Sequence, residues 1–580
     1  MPEILYTLSF DDASNHYVDV DLYLSGFDNK VLELKMAVWT PGSYMIREYS
    51  KNIVSLAACA DPIAGAAAAA SLVLDWLPVL KTSKNTFQLR CAGNRHHIRY
   101  RIYAADFSVR TSYVDQYHAY LNGAGIFLYV HGYQHLRHTV TFRLPAAWKQ
   151  VASSLPGLHI GDLTGQAENY TQLVDSPVSL GNFSTISFEA AGINHELIAY
   201  NCDELFQAVN PAEIRRIIET EVAIFGSHPS PAYLFQLNCS GTGRGGLEHR
   251  DSCSLMLAPS TSGAFDKTEF LSLLAHEYFH LWNGKRLCPA ELYTFDYESE
   301  NYTRLLWVVE GFTVYYESQV LLRAGLLDIP AYLKIIESAV SHYLNQPGRL
   351  VQSLSDSSFD AWIKFYLPNE NSANTTISYY QKGSLIALLL DLEIIELTLG
   401  QYSLDTVMMR LYTEVYLKQQ RGYTLEDLKL FLGEYLDVDF FLARFVNGLA
   451  GLELGSVLHK AGLTLEQNLS DAEISYLGVS VHKDLHTVLQ VRAHSPAANA
   501  GLSAGDEILS LDGVLFTSLS EQLALTRPGQ SITIVIKRAF QKHELLVLLT
   551  QSPIIEYTIG EAAGADFKQR KVYECWLQGR

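Results

Sequence analysis

His276-Glu277-Tyr278-Phe279-His280 constrains this chain more than any other stretch. On an α-helix, positions i and i+4 share a face, so both imidazoles can reach one metal ion. Glu277 then stands beside the water that such an ion activates, where it can serve as general base. The stretch therefore demands a helix. It also demands a second element that brings a third protein ligand and leaves one position open. Asp266 followed by Glu269 is a D-x-x-E start, in which the aspartate caps the first turn and the glutamate reaches back. Phe270, Leu271, Leu273, Leu274 and Tyr278 supply an apolar face, and Gly284 is the expected stop. The plain alternative is a surface helix that carries these residues by chance.

The best candidate for the third ligand is Glu310, in Trp307-Val308-Val309-Glu310-Gly311-Phe312. The pattern predicts a helix from about Asn301, as cap, to Gly325. A glutamate within the apolar run Leu305 to Val309 is costly to bury unless a metal or a cation pairs with it. Glu317, two turns further along the same face, could hydrogen-bond a ligating histidine from behind. A partly exposed glutamate on an amphipathic helix is the competing reading of Glu310.

HEYFHLWNGKRLCP, WVVEGF and the upstream GGLEHRDS together resemble the glycyl aminopeptidase family of gluzincin metallopeptidases. That family is related to aminopeptidase N, whose motifs read GAMEN, HExxH and WLNEGF. WTPGSYMIREYSKNI, from Trp39 to Ile53, is similar to the family's first domain. The connection from His280 to Glu310 is longer than in aminopeptidase N, and a loop around Pro289 to Tyr302 would absorb the difference.

The resemblance implies a Zn²⁺ site of His276, His280 and Glu310, with Glu277 as catalytic base. It gives Glu248 the task of binding the substrate's α-ammonium, a carboxylate–cation pair in a partly desolvated site. Gly245 and Gly246 precede the strand-like Ser252 to Leu257, and glycines there let backbone approach a substrate closely. His249 replaces the asparagine of GAMEN, so its role stays open. Tyr380, in Tyr379-Tyr380-Gln381-Lys382-Gly383, matches the tyrosine that stabilises the oxyanion in the related family. Tyr379 is the obvious confounder. Asn283, Lys285 and Arg286 also match, as residues that shape the site or hold the helix end.

The N-terminal 188 residues read as short strands (Tyr17 to Leu24, His97 to Tyr103, Thr139 to Leu144) between turns, hence a β-sandwich. The alanine-rich Ala64 to Leu74 reads as either a helix or a loop. His131, His135 and His138 form a rival metal cluster that no carboxylate supports. Residues 189–468 turn from a strand-containing lobe to long helices, the order of a thermolysin-like α/β catalytic domain. Residues 469–552 return to strands, and Tyr476-Leu477-Gly478-Val479 with the Gly501 to Gly513 segment resembles a PDZ domain. The backbone amides of Leu477, Gly478 and Val479 would receive a peptide C-terminus, with the peptide added as a strand. The other reading is a packing module whose groove is closed. Residues 553–580 form a C-terminal extension, and the whole is a multidomain α+β chain.

A formal charge of −19 argues against nucleic acid or anionic membrane as the main partner. The most apolar long helix, near 383–399, is broken by Asp391 and Glu393, so no membrane span is expected. The start MPEILYTLSFDD is not a signal peptide, which points to the cytoplasm, or to the periplasm if a signal was removed. Seven scattered cysteines suggest reduced thiols. The expected function is a zinc aminopeptidase that releases small N-terminal residues, Gly or Ala, from peptides with a free N-terminus. The competitors are a zinc endopeptidase and a PDZ adaptor with a peptidase-like scaffold.

Overall fold

The computed structural model describes residues 2–60, 77–91, 93–158, 162–241, 243–259, 265–469 and 474–579. The alanine-rich stretch around Ala64 to Leu74 lies outside the described residues. The chain forms two compact units, residues 1–302 with 411–423 and residues 303–410 with 424–580.

Alternation of apolar residues builds the N-terminal part of the first unit. In Glu3–Ser9 the side chains of Ile4, Tyr6 and Leu8 point inward while Glu3 and Leu5 face out. This strand pairs antiparallel with Tyr17–Ser25 and parallel with His138–Arg143 inside a seven-stranded sheet. Arg95–Tyr103 flanks Tyr17–Ser25 on its other side. Two four-stranded sheets complete the sandwich, and Val20, Leu22, Tyr100, Phe127, Tyr129 and Phe142 share its core. His138 is buried in that sandwich, its Nδ1 3.4 Å from the Tyr6 hydroxyl, as a core histidine would be.

The rest of the first unit carries a five-stranded sheet of β1 (Ser184–Ala190), β2 (Ile193–Tyr200), β3 (Ala232–Cys239), β4 (Gly245–Glu248) and β5 (Ser252–Leu257), in the order β1-β2-β3-β5-β4. Strands β2, β3 and β5 run parallel, while the edge strand β4 pairs antiparallel with β5. Helices α1 (Pro211–Phe225) and α2 (Lys267–Phe279) accompany the sheet. Parallel register sets Tyr200 opposite Asn238, which brings Cys202, two residues on, beside Cys239, one residue on. Cys202 and Cys239 form a disulfide there, with Cα atoms 5.3 Å apart, which corrects the expectation of reduced thiols throughout. Cys91, Cys253, Cys288 and Cys575 keep their thiols.

The loop from Pro289 to Tyr302 docks into the N-terminal sandwich. Trp39 Nε1 donates to Asp296 O at 2.7 Å, Lys35 Nζ reaches both oxygens of Glu298, and Tyr297 is buried in the sandwich core. Asn301 is consumed in this loop: its Nδ2 donates to the carbonyls of Asp296 and Ser299, and its Oδ1 accepts from Asp296 N. It therefore caps no helix. The expected helix begins six residues later, with a π-helical turn over Trp307–Gly311 that continues as α3 (Phe312–Arg323).

In the second unit α3 packs against α4 (Tyr379–Thr398), a helix buried along most of its length. The PDZ-like module has its own core of Leu477, Val488, Ile508, Ile532, Ile534, Ile536 and Val547. The last residues are tied into this unit. Ile555–Glu561 pairs with Leu463–Leu469, and helix α5 (Phe567–Gln578) buries Trp576, whose Nε1 donates to the Tyr315 hydroxyl. Among the described residues no helix is long and apolar enough to cross a membrane.

Candidate active site

Helix α2 starts where the sequence places it. The Asp266 carboxylate accepts from the amides of Thr268 and Glu269. Glu269 does not reach back; it pairs with Arg244 at 2.8 Å. Tyr278 locks the helix to the sheet, its hydroxyl bridging His195 Nε2 at 2.8 Å and His228 Nε2 at 2.7 Å. Burial pushes both imidazoles down to about 4, so they remain neutral supports. Helix α2 ends at Phe279, with His280 as its C-cap.

His280 is 1% exposed, and its Nδ1 lies 2.7 Å from Asn283 O. A carbonyl only accepts, so the ring proton sits on Nδ1 and Nε2 keeps its lone pair. That Nε2 faces His276 Nε2 at 3.2 Å. A fully buried carboxyl the sequence did not flag, Glu221 on α1, lies close to His276. Burial pushes its pKa well up and the imidazole pulls it down, and neither oxygen has a hydrogen-bond partner among the described residues.

Edge strand β4 brings Glu248 to the same place. Glu248 is 7% exposed and Glu277 4% exposed, and each offers an oxygen within 4.8 Å of the other and of a His280 nitrogen. The glycines before Glu248 make room for the Glu277 side chain. A Cβ on Gly246 would lie 2.0 Å from Glu277 Oε1, so only glycine fits beneath that carboxylate. Gly42, in the Trp39 to Ile53 motif, plays the same part on the other side of Glu248. Its φ is +87°, and a Cβ there would stand 2.7 Å from both Glu248 oxygens. Arg110 lies over Gly245 and donates to Gly246 O at 3.3 Å. Gly42 and Arg110 escaped the sequence reading because only the fold brings the sandwich to β4.

In the second unit Glu310 is 2% exposed on the π-helical turn. Such turns reset the helical phase and often mark functional positions. Gly311 and Gly383 cross with backbones almost touching, since a Cβ on Gly311 would lie 2.5 Å from Gly383 Cα. This close crossing brings the start of α4, with Tyr380, to the Glu310 turn. The Tyr380 phenol is pushed well above its ordinary pKa by burial, then by the charge of Glu310 and by a hydrogen bond with Tyr366. Phe365 stacks on Tyr380 at 5.3 Å, and Tyr379 lies 4.7 Å from the same ring. Tyr366 had no signal beyond being one tyrosine among 34. Glu317 follows on α3, half-buried.

Comparison with known proteins agrees with this architecture. Residues 269–386 match the M61 glycyl aminopeptidase domain, residues 5–182 the M61 peptidase N-terminal domain, and residues 487–538 a PDZ domain. The crystal structure of an aminopeptidase N family protein from Idiomarina loihiensis is 30% identical. It covers 99% of this chain and 100% of its own, with a TM-score of 0.88. An M1 zinc metallopeptidase from Deinococcus radiodurans is 13% identical over 78% of this chain and 94% of its own, with a TM-score of 0.46. No curated protein matches the chain at a significant level. The sandwich that leads into β4, the histidine pair on α2, the terminal PDZ module and the likeness along the full chain make one conclusion: this protein belongs to the M61 glycyl aminopeptidase family of metallopeptidases.

Proposed function

We propose that the protein is a zinc aminopeptidase that releases Gly or Ala from peptides with a free N-terminus. The observation that carries this reading is the 3.2 Å between Nε2 of His276 and Nε2 of His280. Two nitrogens about 2.0–2.1 Å from a tetrahedral Zn²⁺ stand about 3.3 Å apart. The donor set fits by its chemistry as well: two imidazoles on α2, with the carboxylate of Glu310 from the second unit, are side chains that a Zn²⁺ site takes. When bound there, zinc would supply Lewis acidity to a water and to the scissile carbonyl.

The chain's own residues do the rest. Glu277, kept in place by the floor of Gly246, takes the proton of the attacking water and passes it to the leaving amine. Glu248 and Glu277 are two buried carboxylates in close approach, an arrangement that needs cations to be stable. The α-ammonium of a peptide supplies one, which makes Glu248 the anchor and free-amine peptides the substrates. Tyr380 donates its phenolic proton as a hydrogen bond to the developing oxyanion. The preference for Gly and Ala rests on the family likeness.

The PDZ-like module would take a peptide C-terminus at Leu477, Gly478 and Val479. Gly478 has φ +84°, and a Cβ there would meet Ser495 Cβ at 2.2 Å, so the loop is built around a glycine. Val479–Val481 pairs only with Val488–Val491 among the described residues, which leaves its other edge for an added strand. Asn374 Nδ2 donates to Val491 O, and its Oδ1 accepts from Ala493 N, at and just past the end of the partner strand. Glu277→Gln tests the catalytic reading. It should keep one zinc per chain and lose activity by several orders of magnitude; retained turnover would sink the mechanism.

A further inference from the structure

A buried ion cluster lies behind the hairpin that carries Glu248. Its centre is Asp175, 9% exposed, at the end of the short helix Tyr170–Val174 in the N-terminal sandwich. Asp175 Oδ1 accepts from Lys285 Nζ at 2.7 Å and from His249 Nδ1 at 3.1 Å, while Oδ2 accepts from Arg250 N at 2.9 Å. Burial alone would raise this carboxyl, yet Lys285 and His249 hold it down at about 2, so it is ionised at any working pH. The His249 ring has its Nδ1 proton on the carboxylate, and its Nε2 has no partner among the described residues.

Each arm of the cluster leads to a different half of the site. His249 and Arg250 follow Glu248 directly, in the turn between β4 and β5. Lys285 leads back to the metal side, because its amide donates to His280 O and Asn283 O holds His280 Nδ1. Arg286, 2% exposed, doubles the link: Nη1 donates to Arg250 O and to Leu281 O, both at 2.9 Å, and Nη2 to Asp251 Oδ1 at 3.1 Å.

We infer that Asp175 is a positioning residue whose salt bridge to Lys285 and hydrogen bond to His249 fix the Glu248 carboxylate relative to His280. This inference rests on the reading of Glu248 as the α-ammonium anchor. It gives work to three residues that carried no clear role in the sequence, His249, Lys285 and Arg286. The span between ammonium site and metal selects the first peptide bond, and a rigid ionic clamp sets that span better than a solvated hairpin would.

Kinetics on alanine p-nitroanilide test the clamp in the full-length, zinc-loaded protein. Lys285→Met and His249→Leu each remove one donor while Asp175 keeps its other two. Both should lower kcat/KM about 10- to 100-fold, mainly through KM, with zinc content unchanged. His249→Asn keeps an N–H donor and should recover most of the loss. In a Glu248→Ala background the same changes should add less than about twofold, because the group they position is gone. An equal further loss in that background, or unchanged kinetics in the single variants, would overturn the clamp. Should Glu248→Ala itself leave the preference for free amines intact, the anchor reading falls, and the clamp's role falls with it.

Discussion

Gly246→Ala is the sharpest perturbation the geometry offers. The new methyl carbon would lie 2.0 Å from Glu277 Oε1, 2.2 Å from Cδ and 2.4 Å from Cγ. An ordinary contact is about 3.4 Å or more, so the carboxylate must move by roughly 1.4 Å or swing to another rotamer. Gly246 sits in a strand without a positive φ, so the backbone itself tolerates alanine. Overpacking of this kind costs about 1–3 kcal/mol of stability, which a domain of this size survives. Catalysis fares worse. Displacing a reacting group by 1 Å costs about 100-fold, and losing a general base about 100- to 10,000-fold. Gly246→Ala should therefore lower kcat by at least about 100-fold while zinc stoichiometry and the far-ultraviolet circular dichroism spectrum stay at wild type. A kcat within about threefold of wild type would refute the placement of Glu277 as base.

Tyr380→Phe should reduce kcat about 100- to 1,000-fold with KM for alanine p-nitroanilide nearly unchanged, since it removes one donor to the oxyanion; an effect on KM alone would contradict the assignment. Lys382 is fully buried, its Nζ has no hydrogen-bond partner among the described residues and lies 5.8 Å from the Tyr343 ring centre, and burial lowers its pKa to about 8. A lysine with a depressed folded pKa weakens the fold at low pH, so stability should rise as pH climbs from about 8 to 10.5. Lys382→Met should accordingly stabilise the protein at pH 7 by about 3 kcal/mol in chemical denaturation, and the gain should vanish above pH 10.5. A variant less stable than wild type at pH 7 would mean that Lys382 is paired.

Much of the site is local in sequence, and that part was legible. The i, i+4 spacing of the histidines and the Asp266 cap follow helical periodicity and fall on α2, whereas Glu310 stands on a π-helical turn that starts six residues past the expected cap. The PDZ-like module and the short strands of the sandwich show themselves through turn residues and alternation. What stayed hidden depends on long-range register. Asn301 looked like a helix cap, but the loop that docks on the sandwich uses its side chain first. Cys202 and Cys239 look unrelated until parallel pairing of β2 and β3 sets them side by side. Gly42, Arg110 and Asp175 come from the N-terminal sandwich and reach β4 only through the fold. Glu221 and Tyr366 lie in ordinary helical and aromatic contexts, and only burial beside His276 and Tyr380 gives them meaning.

Hydrolysis of glycine and alanine p-nitroanilides beside their N-acetylated counterparts, on protein of known zinc content, decides between an aminopeptidase and an endopeptidase. Free-amine substrates should turn over, the acetylated ones at least about 100-fold more slowly, and Glu248→Ala should lose that preference. Equal cleavage of acetylated and free substrates by zinc-loaded wild-type protein would contradict the aminopeptidase reading and make the enzyme an endopeptidase.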